Sequence, residues 1–176
     1  EEWLADARVD IAILYRYGPT LPEAEQSLAV VDSWLIGAPG DRATADADVH
    51  FDTLHDLPFI LPSAPNGLRT ALDAVARQRR ITLAPVIEAD SLPLQKALVA
   101  SERLYTVLPL HAVWTEVTDR RLQAARIVDP PLQRTVSMSL SKSKGPARAV
   151  SAVAARIVQL VDEMAGAGMW SPSTNA

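Results

Sequence analysis

Few residues in this chain are of types that do covalent chemistry, and their spacing excludes most of it. Histidines stand at His50, His55 and His111, with no Cys or carboxylate at the spacings that hold a metal ion. Asp46, Asp48, Asp52 and Asp56 crowd one polar stretch and read as solvated acidic surface. No G-x-S-x-G, Gly-rich phosphate loop or H-E-x-x-H occurs, and 7 glycines in the whole chain leave little for a nucleotide cradle. No catalytic residue, metal site or cofactor is therefore expected, and an enzyme is not. Two stretches fit reversible binding instead. Pro62-Ser63-Ala64-Pro65-Asn66-Gly67 and Glu88-Ala89-Asp90-Ser91 each run from the end of an apolar strand into the start of a helix. Ligands of open parallel sheets sit outside the carboxyl ends of the strands. Free N–H groups and small hydroxyls there suit a carboxylate or another oxyanion. Asn66 and Ser91 also serve as plain helix caps.

The totals narrow the class. At 176 residues the chain is one large domain or two small lobes with a real core. A net charge of −4 supplies no basic face for a nucleic-acid groove. The one basic cluster, Arg77, Arg79 and Arg80, falls at a helix C-terminus, where cations complement the dipole. With 0 cysteines, disulfides and thiolate chemistry are excluded. No apolar run reaches membrane-span length and no signal peptide is visible, so a cytoplasmic protein without membrane contact is expected. The opening, EEWLADARVD, starts without Met and inside a helix, as a fragment of a longer protein would.

The element that positions both stretches is residues 86–109, read as strand, helix, strand: a right-handed crossover between parallel strands. Asp90 or Ser91 caps its helix, Pro93 sits in the first turn, and Leu94, Ala97, Leu98 and Ser101 form its apolar face. Around it, residues 1–6 read as a helix end. Residues 9–14 read as a doubly covered parallel strand, 15–25 as a loop, and 27–36 as a second apolar strand. Residues 41–49 read as an exposed loop, 51–56 as one helical turn, and 57–62 as a strand. Asn66 caps a helix whose inner stripe is Leu68, Ala71, Leu72, Val75, Ala76 and Arg79. Residues 110–116 follow as helix and 122–128 as strand. Residues 134–141 alternate as a half-exposed strand, with Val136, Met138 and Leu140 on one face. The last helix starts at Gly145-Pro146, with the stripe Val150, Val153, Ala154, Ile157, Leu160, Val161 and Met164. The sum is an α/β fold with a mostly parallel sheet.

Taken together, certain motifs resemble the effector-binding (regulatory) domain of LysR-type bacterial transcriptional regulators. They are Arg8-Val9-Asp10-Ile11-Ala12-Ile13, Phe59-Ile60-Leu61-Pro62 with Leu68-Arg69, Glu88-Ala89-Asp90-Ser91, and Leu98-Val99-Ala100. Thr106-Val107-Leu108-Pro109, Ile127-Val128-Asp129-Pro130 with Arg134, and the closing helix complete the set. The resemblance implies a two-lobe, periplasmic-binding-protein-like (type 2) fold with a small effector in the cleft. Residues 1–29 and 134–166 would be the remainder of lobe I, 30–133 lobe II, and 167–176 a flexible tail. The helix-turn-helix reader, its linker helix and the start of lobe I are absent from the sequence. The Ser101-Glu102-Arg103 turn departs from the glycines usual in the family.

Carried over position by position, the effector contacts are Tyr15, Ser63, Asn66, Asp90, Ser91 and Thr106. Ser63 and Thr106 would offer hydroxyls to an anionic metabolite, and Tyr15 would wall the pocket. Asp90 either caps its helix or selects an amine. The family pairing implies a homodimer or homotetramer through regulatory domains, with residues 68–80 and 150–164 as the contact helices. DNA would be bound only by the absent N-terminal domain. The alternative is a periplasmic solute-binding protein of a transporter, which shares the architecture.

Overall fold

The computed structural model describes residues 2–18, 20–141, 148–167 and 171–172. In chain order the elements are α1 (Glu2–Ala5), β1 (Ile11–Arg16), β2 (Glu25–Gly37), β3 (Asp48–His50), β4 (Pro58–Leu61) and α2 (Gly67–Arg79). Then come β5 (Ala84–Glu88), α3 (Leu92–Glu102), β6 (Thr106–Pro109), α4 (Leu110–Thr118), β7 (Gln123–Val128), β8 (Gln133–Leu140), α5 (Arg148–Gly166) and β9 (Ser171–Pro172). Two compact units result: unit 1 is residues 1–31 with 134–176, and unit 2 is residues 32–133.

In unit 2, β5 lies parallel to β4 and a parallel bridge joins Phe59 of β4 to Tyr105. β2 runs antiparallel to both β6 and β7, and β3 parallel to β7. Hence β2 alone opposes the direction of the rest. Period-two alternation sends neighbouring side chains to two separate cores. Leu35, Phe59, Leu61 and Val107 join Leu72 and Ala76 of α2, while Ile36, Ile60 and Leu108 join Val99 of α3 and Val113 of α4. That double covering is why these strands read as unbroken apolar runs.

Residues 41–49 are more ordered than an exposed loop. They hold a 3-10 turn at Arg42–Thr44, capped by Asp41, and strand β3. Tyr105 Oη donates to Asp41 Oδ1 at 2.6 Å, and Thr44 is 1% exposed. Gly37 permits this approach, since a Cβ there would stand 3.0 Å from Thr44 Oγ1 and 3.3 Å from Tyr105 Cε1.

Unit 1 departs further from the sequence reading. β1 pairs antiparallel with β8 at the end of the strand order, so among the described strands it lies at an edge. It is not doubly covered, and Ile13 and Tyr15 are 42% and 51% exposed. β8, by contrast, is buried on both faces. Ser137 Oγ donates to Glu25 Oε2 at 2.5 Å and Ser139 Oγ to the Ala24 carbonyl at 3.5 Å, so hydroxyls that look solvent-facing in the sequence are satisfied inside.

The inner face of α5 is Ala154 and Val161 with Ile157 and Val158, packed on Leu28, Val31, Val136 and Met138. Val153 and Leu160, expected in the same stripe, are exposed. The expected start at Gly145-Pro146 lies outside the described residues. Within the expected tail, β9 pairs with β2 through Ala29–Pro172 and Val30–Ser171.

Helices α2 and α3 both end on a left-handed residue, Arg80 (φ 56°) and Arg103 (φ 53°). A β-carbon costs about 1 kcal/mol in that conformation, and glycine is the usual solution. Replacing the exposed Arg103 by Gly should therefore raise the melting temperature by about 2–4 °C. A thermal melt in which Arg103→Gly lowers it would mean that the side chain has a stabilising role of its own.

Candidate functional site

The turn from β4 into α2 and the turn from β5 into α3 are built alike. Each strand ends where a polar residue with extended backbone caps the next helix. Asn66 Oδ1 accepts from the N–H groups of Leu68 (2.9 Å) and Arg69 (3.4 Å). Ser91 Oγ accepts from Leu94 N–H at 3.5 Å, and Pro93 fills the first turn. Of the two possible caps for α3, Ser91 is the one used. The Asp90 carboxylate points elsewhere, and its Oδ1 accepts the Ser63 backbone N–H at 3.0 Å, tying one turn to the other. Ser63 is half-buried, and its hydroxyl makes no hydrogen bond to a described residue.

Arg69, in the first turn of α2, braces the same corner. Its Nη1 donates to Glu88 Oε1 at 2.7 Å and its Nε to both Asp73 oxygens at 3.1 and 3.2 Å. Those carboxylates raise the guanidinium pKa, Glu88 most of all, so the charge is fixed and committed. Ser63, Asn66, Asp90 and Ser91 thus form one corner of unit 2.

Thr106 is fully buried, and its hydroxyl donates to Gln95 Oε1 at 3.3 Å. Gln95 Nε2 in turn donates to the Ala89 carbonyl at 2.6 Å, so Thr106 reaches the β5–α3 turn through Gln95. The sequence reading missed Gln95 by facing α3 the wrong way. Gln95 and Val99 are buried, while Leu94, Ala97 and Ser101 of the expected apolar face are exposed. The available signal was the i, i+4 pairing of Gln95 with Val99.

Tyr15 belongs to unit 1. The Arg134 guanidinium stacks on its ring with the carbon 4.1 Å from the centroid, a cation–π contact. Burial raises the Tyr17 pKa, and the Arg134 charge opposes the rise. On the other face of β1, Arg16 donates through Nε to Glu25 Oε2 at 3.1 Å and through Nη2 to Oε1.

The acidic stretch is partly paired. Asp48 accepts from Arg126 Nε at 2.9 Å and Asp52 from Arg79 Nη2 at 2.7 Å, exposed bridges of little energetic weight. Among the described residues no three His, Cys, Asp or Glu side chains could hold a metal ion. No helix among them is long and apolar enough to cross a membrane.

Residues 1–162 match the family described as "LysR substrate binding domain". Among characterised proteins, the nitrogen assimilation regulatory protein nac of Escherichia coli is 26% identical over 151 residues, covering 84% of this chain. The match takes in 46% of that protein, so the chain spans about half the length of this relative. Among solved structures, the CcmR regulatory domain of Synechocystis PCC6803, in complex with 2-PG, aligns with a TM-score of 0.75 at 17% identity, covering 93% of this chain and 78% of that one. A mutant of Corynebacterium glutamicum OxyR gives 0.73 at 22% identity, covering 96% and 52%. These likenesses establish the fold.

Proposed function

The chain belongs to the LysR substrate binding domain family, and from that premise we propose that it is the effector-sensing part of a LysR-type transcriptional regulator. Its fold is of the type 2 periplasmic-binding-protein-like class, and we assign residues 1–29 and 134–166 to lobe I and 30–133 to lobe II. The observation that carries the reading is the stapled corner of unit 2. There the Asp90 carboxylate holds the Ser63 backbone beside the N-termini of α2 and α3, whose dipoles favour a negative ligand.

The proposed ligand is a small anionic metabolite. Its contacts would be Ser63, Asn66 and Ser91, with Asp90 holding the Ser63 turn in place and Thr106 acting through Gln95. Effector binding favours one conformation over another only by differential affinity. The change would pass to a DNA-binding segment outside residues 1–176 through a homodimer or homotetramer, with α2 and α5 as contact helices. The relatives named above are regulators, which favours this reading over a transporter's solute-binding protein.

The test is a thermal-shift screen of the intact protein against carboxylates, sulfate and amino acids. A ligand at a hundredfold excess over its Kd stabilises by about 2.7 kcal/mol, a rise of roughly 5–10 °C for a domain of this size. A hit weakened by Ser63→Ala and by Thr106→Ala supports the corner as the effector site. No hit, or one indifferent to both substitutions, removes the site assignment.

A further inference from the structure

We propose a second, independent binding element in unit 1: an oxyanion site made by Arg134 and Tyr17 and braced by Tyr15. Arg134, the second residue of β8, carries a charge for which no carboxylate partner occurs among the described residues. One face of its guanidinium is held by the Tyr15 ring at 4.1 Å. Stacking of that kind fixes the plane and leaves the in-plane N–H edge for a bidentate acceptor.

The register places a second donor beside it. Tyr15 pairs with Val136 and Arg16 with Thr135, so continuing by one residue sets Tyr17 opposite Arg134, on the same face as Tyr15. The Tyr17 hydroxyl is buried and donates to no acceptor among the described residues, although buried hydroxyls are ordinarily satisfied. The Arg134 guanidinium lies close enough to act on its oxygen through charge and as a hydrogen-bonding neighbour, which leaves the O–H to donate elsewhere. Two donors thus lie side by side there, one cationic and one buried, with no carboxylate paired to either among the described residues. The group that fits both donors is an acceptor with at least two oxygens and a negative charge, a carboxylate or a sulfate-like anion.

The site does not depend on the corner at Ser63, and its test separates the two. The intact protein is titrated with sulfate and with malonate at constant ionic strength set by chloride, and the melting temperature is followed. Saturation with sulfate or malonate, absent with chloride, is expected, and whichever saturates names the source of the oxygens. Arg134→Gln should move the midpoint to about tenfold higher anion. Arg134→Lys, which keeps the charge and loses the fork, should move it less. Tyr17→Phe should give opposite signs: a higher melting temperature without anion, because an unsatisfied hydroxyl is removed, and a smaller gain when anion is added.

No saturation with either anion overturns the proposal. So does an unchanged midpoint in Arg134→Gln, or a loss that follows Ser63→Ala instead of Arg134→Gln. Destabilisation of the anion-free protein by Tyr17→Phe would assign the hydroxyl a structural partner, and would overturn it too.

Discussion

Phe59→Ala is expected to cost about 3–5 kcal/mol, the range for emptying a fully buried aromatic position. Phe59 is 1% exposed and shares its core with Leu35, Leu61, Leu72, Val107 and Ile127. Its ring meets Tyr105 edge-on, with centroids 6.4 Å apart and planes at 63°, a geometry that adds to the area term. The residue sits in β4, between β5 on one side and the Tyr105 bridge on the other, so no flexible neighbour can collapse into the space. The melting temperature should fall by about 10 °C, and the urea midpoint with it. Phe59→Leu, which keeps most of the volume, should cost markedly less. A loss below about 1 kcal/mol for Phe59→Ala would mean that the β4 core is far more plastic than a close-packed interior allows.

The second large effect is electrostatic. Glu25 is 5% exposed at its side chain and accepts from Arg16 and from Ser137. The Arg16 hydrogen bond holds its pKa below the usual carboxylate range against the opposing effect of burial, and the Ser137 hydroxyl helps. Glu25→Ala leaves Arg16 without this partner and the Ser137 hydroxyl without an acceptor. A cost of about 2–3 kcal/mol near neutral pH follows from removing charged hydrogen bonds of this kind.

The pH dependence has a definite sign. Because the folded pKa is depressed, the contribution is fully present above the unfolded value, about 4.3, and is lost as pH falls through the lower folded value. Wild type should therefore lose stability on acidification more steeply than Glu25→Ala, the two curves converging below about pH 4. Parallel curves down to about pH 3 would show that the pair contributes nothing through charge.

Much of unit 2 is legible in the sequence because β4, β6 and the end of β2 have a core on both faces. An unbroken run such as Phe59-Ile60-Leu61, bounded by Pro58 and Pro62, then reads as a buried strand, and Asn66 caps α2 as its type suggests. Unit 1 is less legible for the same reason inverted. β1 is as apolar as a central strand, yet it lies at an edge with Ile13 and Tyr15 exposed, a fact that resides in its neighbours and not in its residues. In β8 the alternation of serines with apolar residues has the period of a half-wet strand, but Glu25, 112 residues away from Ser137 in sequence, turns the polar face into an interior one.

The corner proposed to bind the effector is half visible in the residues alone. Strand-to-helix turns with small polar residues announce themselves, whereas the staple between Asp90 and Ser63 joins residues 27 apart. Gln95 is hidden because a polar residue on the inner face of a helix reads as outward until its partners are known. Arg134 stands out in the sequence only as part of a family motif, since nothing local announces a cation stacked on a tyrosine in another strand.

The interrupted course of unit 1 has a consequence for how the chain acquires its structure during synthesis. Unit 2 is one continuous stretch, residues 32–133, so all its partners are present before β8 and α5 have been made. At about 5–20 residues per second, the ribosome leaves a few seconds in which unit 2 can fold alone while β1 waits without β8. Closing β1 onto β8 then no longer requires gathering a loose loop of some hundred residues. The folded unit 2 has already drawn its ends together, and the loop-closure entropy that would oppose the Glu25–Ser137 contact has been met by an earlier, self-sufficient step.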